Sequence, residues 1–252
     1  AIEVVDGAGA VIARMDGPAR HGLNRSWWNL RETPSRQPRL RMPPVEHAHA
    51  WPEAPVLPEA GGGQAGAEAD AAGATRGPPE GGRVSILAPP GRYTVRLTVL
   101  GDDEGAGRGE GAGPGEAADV TVEQPLELVM DPSSEGTPET VAEQVTMLRE
   151  LRAEVNRAAD LIDALEWTRA QVHRAMEASP GPAAAGTAEA LAAKLRDIEW
   201  ELFDLRLTGG TARQDALWWP RRLWAKLNSL AGYVSGTDHA PTDQAREVHA
   251  IY

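Results

Sequence analysis

Cysteine is absent from this 252-residue chain, so neither a disulfide framework nor a thiolate metal site is available, and cysteine usage names no redox compartment. No apolar run is long enough to span a bilayer, which gives the expectation of no membrane insertion. Basic charge is scarce: 25 Lys and Arg stand against 37 Asp and Glu, a formal net charge of −12. No compensating basic stripe appears, so nucleic acid and anionic membrane surfaces are not expected partners. Gly-x-Ser-x-Gly, His-Glu-x-x-His, Walker and dinucleotide fingerprints are all missing. The chain opens at Ala1 in a strand-like run, with no initiator Met and no basic then apolar leader, and reads as part of something longer.

What is present divides at about residue 131. Ile2 to Val5 and Val11 to Met15 are short apolar runs around Asp6-Gly7-Ala8-Gly9, whose positive-φ residues predict a hairpin. "LNRSWWNLR" reads as a third strand, on which adjacent Trp27 and Trp28 point to opposite faces. Trp28, in phase with Leu30, is the expected core residue, and Trp27 beside Asn29 the outer one. Prolines at 34, 38, 43, 44, 52, 55 and 58 remove ladder donors and favour an extended surface connection. Residues 60–82 hold eight glycines and seven alanines with no branched aliphatic residue to bury, and predict disorder or a flexible loop. Tyr93, Val95, Leu97 and Val99 alternate with Thr94, Arg96 and Thr98, the clearest strand in the chain. A second Gly-rich insert, 101–118, precedes "DVTVEQPLELVMDP" as the return strand or strands.

Beyond Asp131 the period becomes helical. Thr137 as N-cap and Pro138 at the first helical position open a run through Val141, Val145, Leu148, Val155, Ile162, Leu165, Val172 and Met176. Its length of about 40 residues far exceeds an average helix and calls for a partner alongside. Thr187 to Leu207 forms a second helix with Leu191, Leu195, Ile198, Leu202 and Leu205 on one stripe. A third run carries Leu223, Leu227, Leu230 and Val234, and Thr242 caps a short fourth. The expected fold class is therefore α+β in two domains. Residues 1–131 make an antiparallel β-sandwich of immunoglobulin-like type, and 132–252 an antiparallel bundle of three long helices plus a C-terminal stub.

Candidate sites are few. Glu46, His47 and His49 could begin a metal site, but no third or fourth ligand is evident. Glu150, Glu154, Asp160, Asp163, Glu166, Asp197, Glu199, Glu201 and Asp204 interleave with arginines as a solvated, salt-bridged face would. Trp167 and Trp200 fall at core-edge positions, and Trp218, Trp219 and Trp224 cluster around Pro220, either as an aromatic plug or as an exposed contact surface. No catalytic, cofactor-binding or metal residue is assigned.

The order of features, "IEVVDGAGAVIARMDGPARHGLNRSWWNLR", "PPGRYTVRLTVLG", "QPLELVMDP", "TPETVAEQ" and "PTDQAREVHA", resembles the C-terminal region of bacterial BNR/Asp-box, sortilin-like (VPS10-type) glycosyl-hydrolase-like β-propeller proteins. The resemblance implies an immunoglobulin-like sandwich and a helical bundle following a propeller, and export to the periplasm or beyond. The family pattern has Trp-Asp-Leu-Arg where this chain has Trp28-Asn29-Leu30-Arg31. No Asp-box and no repeat occurs here, so hydrolase activity is not carried over. The expected role is a non-enzymatic accessory or assembly region that supports an upstream propeller, with self-association through the helices. Carbohydrate or peptide binding by loop aromatics of the sandwich, such as Trp51 and whichever of Trp27 and Trp28 faces outward, is the alternative.

Overall fold

The computed structural model describes residues 1–18, 20–46, 82–99, 120–178, 181–207 and 215–252. Four strands, β1 (Ile2–Val5), β2 (Val11–Met15), β3 (Gly91–Val99) and β4 (Val120–Leu128), precede helices α1 (Pro138–Glu177), α2 (Pro182–Leu202), the single turn α3 (Asp215–Trp218), α4 (Leu223–Val234) and α5 (Asp243–Ile251). The chain is α+β, and among the described residues its four strands form an antiparallel sheet in the order β2-β1-β3-β4. By contact density it forms two compact units that interleave along the sequence and do not meet at residue 131. The first comprises 1–34, 85–146 and 237–240; the second comprises 35–84, 147–236 and 241–252. The Gly/Ala-rich insert at 101–118, and that at 60–82 up to residue 81, lie outside the described residues.

In the first unit the hairpin forms as expected. Asp6 accepts the Ala8 and Ala10 N–H groups on its side chain, and Gly9 takes φ 84° in the turn, the left-handed region glycine occupies without strain. One sheet face is charged, with alternating signs across all four strands: Arg14 pairs with Glu3, Glu3 with Arg96 and Arg96 with Glu123. Directly opposed unlike charges of this kind specify register. The other face is apolar: Val4, Ile12, Ala13, Ala88 and Tyr93 are buried together, with Met15, Trp28, Leu126 and Leu128 packed on them. That face continues through Leu97, Val99, Val120 and Val122, which remain 41, 54, 58 and 49% exposed.

Thr98 N–H donates to the Ala1 carbonyl, so by the antiparallel alternation Thr121, Glu123, Pro125 and Glu127 turn their main chain to the outer edge of β4. Pro125 has no N–H to offer there, which blunts that edge.

The expected third strand at 23–31 does not form. Leu30 sits at φ 59°, costly for a residue with a Cβ. Asn29 Oδ1 accepts the Arg31 N–H at 3.1 Å, and the Trp28 indole donates to the Arg31 carbonyl at 2.9 Å. These local bonds make a turn where a ladder was expected. Pairing begins only at Arg31, bridged to Leu87, with Glu32 N–H on the Ile86 carbonyl and Ala88 N–H on that of Leu30. A second sheet is not seen among the described residues.

α1 starts as its sequence predicts: the Thr137 hydroxyl accepts the Thr140 N–H at 3.3 Å, and Thr140 returns the bond to the Thr137 N–H at 2.9 Å. In the second unit α2 runs from Pro182 to Leu202, five residues earlier at each end than the leucine pattern implied. It packs against α4, and α4 against α5. Thr242 caps α5 by accepting the Ala245 N–H. Among the described residues no helix is long and apolar enough to cross a membrane.

Candidate functional site

A cleft of about 350 Å³ opens in the first unit beside β2, lined by Ala13, Arg14 and Met15 on one side and by Trp27, Trp28, Asn29 and Arg31 on the other. Its two tryptophans have separate tasks. Trp28 turns inward on the sheet core and meets Tyr93 edge to face, and its indole N–H is spent on the Arg31 carbonyl. Trp27 is 84% exposed. An indole left in water beside a concave, partly apolar wall is a surface available to stack on a ligand.

The polar groups around that ring are fixed by the turn. Asn29 is oriented by its bond to the Arg31 N–H, and one Arg31 guanidinium nitrogen is anchored on the Ser85 carbonyl at 3.0 Å. Arg14 is steadied by Glu3 at 3.1 Å. Thr33 bonds the Ile12 carbonyl through both its N–H and its hydroxyl, so the outward main-chain direction on β2 falls at Ile12 and again at Arg14. The cleft thus combines an exposed aromatic plane, two guanidinium groups, an amide and a strand edge. It has the means to bind and orient a ligand.

The second unit holds the carboxylates. The proline-rich connection lies along α1 with Pro38, Leu40, Met42 and Pro44 buried, the period of an extended chain. It gives several of its N–H groups to α1 side chains: Arg36 to Asn156 Oδ1 at 2.8 Å, Arg39 to Asp163 Oδ1 at 2.6 Å, and Arg41 and Met42 both to Glu166 Oε2. Arg36 also pairs with Asp160. The expected solvated face therefore exists only in part. Burial pushes the Asp163 carboxyl up despite the Arg39 N–H and the charges of Arg41 and Arg39.

Glu166 and Glu199 depart furthest from that expectation, since both are fully buried. Arg169 lies between them, donating to Glu199 Oε2 and standing 3.6 Å from Glu166 Oε1. One oxygen of each carboxyl group, Oε1 in both, has no donor among the described residues. Burial first, and then the Glu166 charge, push the Glu199 carboxyl up to about 8 against the pull of Arg169.

The tryptophans of this unit divide as well. Trp224 is fully buried, Trp218 is 78% exposed, and Trp219 lies under Arg206, whose guanidinium carbon is 3.6 Å from the ring centre. Asp204 holds that guanidinium with two bonds, at 2.8 and 2.6 Å. Trp200 faces Arg206 and Arg222, and Trp167 faces Arg41. The plug thus accounts for Trp224 alone, and guanidinium stacking for Trp219, Trp200 and Trp167.

Glu46 is exposed; His47, His49 and Trp51 lie outside the described residues. Among the described residues no group of three or more acidic or histidine side chains converges as a metal site. The cleft itself could be anticipated only as the exposed side of the Trp27-Trp28 pair. The buried carboxyl pair had no legible signal, because Glu166 and Glu199 are 33 residues apart and each looks like an ordinary helix-surface glutamate. Comparison with protein-family models, curated proteins and solved structures finds no match.

Proposed function

We propose that the chain is a non-catalytic recognition and accessory region that makes its contact through the cleft around Trp27. The observation that carries this reading is the split of the two tryptophans. One anchors the turn in the core, and the other stands in solvent at a cleft rim carrying Asn29, Arg14 and Arg31. Leaving a large aromatic surface wet forgoes burial energy, and such surfaces mark contact sites.

The first ligand class is a partner polypeptide. Arg14 turns its N–H and carbonyl outward beside the cleft, where an extended segment can add to β2 beyond the bond that Thr33 makes at Ile12. The resemblance in element order supports an upstream propeller as that partner, with an immunoglobulin-like sandwich and an antiparallel three-helix bundle as the full architecture. The second class is carbohydrate, favoured by the flat Trp27 face among hydrogen-bonding groups. Self-association through α1 has little support: Leu161 is the one large apolar residue exposed on that helix among the described residues. α2 is the better surface for it, with Leu191 and Ile198 outward.

Calorimetric titration of the chain and of Trp27→Ala tests the reading. The probes are soluble cello- and chito-oligosaccharides and the polypeptide encoded immediately ahead of Ala1 in the parent reading frame. Saturable binding by one probe that is lost in Trp27→Ala is the expected result. Silence from all of them, or binding indifferent to Trp27, contradicts it.

A further inference from the structure

We propose that Glu166 and Glu199 share a single proton, and that this proton is the clasp joining α2 to α1 and to residues 41–42, so that the packing of the second unit loosens in alkali.

The argument begins with the unpaired atoms. Buried polar atoms are nearly always bonded, yet Glu166 Oε1 and Glu199 Oε1 have no donor among the described residues. The two carboxyl groups lie within hydrogen-bonding reach of each other. A carboxylate only accepts, whereas a carboxylic acid also donates, so one proton placed between the two groups satisfies both orphans at once.

Charge leads to the same arrangement. The charged groups acting on Glu199 are Glu166 and Arg169, both from α1. Beside them, Arg41 is engaged with Asp163 and Trp167. From the side of α4, Arg222 faces Trp200, and Arg206 is taken by Asp204. Two carboxylates and one guanidinium would leave an uncompensated negative charge in a dry interior, where a group neutralises in preference to staying ionised. With one proton bound, the triad is neutral.

Glu166 is the natural carboxylate of the pair, because its other oxygen already accepts two main-chain N–H groups, from Arg41 and Met42. Glu199 is then the acid. It accepts from Arg169 on one oxygen and donates from the other, which binds α2 to two other pieces of chain.

The consequence for pH follows from linkage. Glu199 keeps its proton up to about 8, while in the unfolded chain it releases it in the ordinary carboxylate range. Between these limits the folded form holds the extra proton, so stability falls as pH rises and levels off above about 8.

Urea unfolding of the full chain from about pH 6 to about pH 10 tests the clasp. The unfolding constant of the wild type is expected to rise by close to tenfold per pH unit up to about 8. Glu199→Gln, whose amide donates permanently, should remove that dependence to within about twofold. Equal slopes in the two proteins would overturn the proposal. The infrared spectrum of the wild type keeps the test decisive if the variant does not fold. A protonated-carboxyl band at neutral pH that disappears in alkali is expected, and its absence at neutral pH refutes the clasp.

Discussion

Trp28 stands edge-on to Tyr93, ring centres 6.2 Å apart and planes at 65°, while its neighbour Trp27 points away from the core. Edge-to-face pairs add to the energy of burial. Trp28→Ala is therefore expected to cost about 2–3 kcal/mol in urea unfolding, somewhat below the roughly 3–5 of a fully buried tryptophan. Trp27→Ala should lie within about 0.5 kcal/mol of wild type. Similar costs for the two variants would contradict the division of labour.

Asp204 supplies the acid limb of the stability profile. Burial alone would raise its carboxyl, but the hydrogen bonds and charge of Arg206 outweigh burial and hold it below the usual range. A depressed carboxyl contributes stability above its unfolded value, and that contribution is lost as pH falls through the folded one. Asp204→Asn is expected to be less stable at neutral pH by about 1–3 kcal/mol and to flatten the acid decline. An unchanged acid limb would show that the pair with Arg206 is not its source.

The outer edge of β4 depends on Pro125. Replacing it with threonine restores an N–H at an outward position and returns a regular edge. Pro125→Thr is expected to self-associate more than wild type in sedimentation velocity, with its thermal midpoint little changed. A monodisperse variant at matched concentration would contradict the assignment of that edge.

Gly136 is held by close approach and not by its dihedral angle. A Cβ there would collide with the main-chain oxygen of Asp238. Asp238 is itself clamped, its carboxylate by the Ser134 hydroxyl at 2.7 Å and its carbonyl by the Thr140 hydroxyl at 3.2 Å. Because the obstacle is backbone, Gly136→Ala should cost about 1–3 kcal/mol in thermal or urea unfolding. A cost below about 0.5 kcal/mol would mean that residues 237–240 yield freely.

Local chemistry made much of the fold legible. The Asp6-Gly9 turn, the alternation from Tyr93 to Val99, Thr137 with Pro138 at the start of α1, and Thr242 as cap of α5 are patterns whose cause lies within a few residues. Where side chains compete with the ladder, pattern failed: Asn29 and Trp28 close a turn on Arg31, so the stretch around the two tryptophans is not a strand. Pattern also failed where charge is buried. α2 is rotated so that Glu199 and Leu202 face inward while Leu191 and Ile198 of the leucine stripe are exposed. That choice depends on Arg169, thirty residues away, and no periodicity within α2 contains it.

The central claim, contact through Trp27, is tested most directly at its own indole. Trp27→Ala assigns the Trp27 Nε1–H signal in a nitrogen-correlated spectrum by its loss, and Trp224→Phe does the same for a buried reference. On titration with the probe that binds, the Trp27 signal is expected to shift saturably with the calorimetric affinity while that of Trp224 stays fixed. Saturable binding that leaves the Trp27 signal in place would contradict the account.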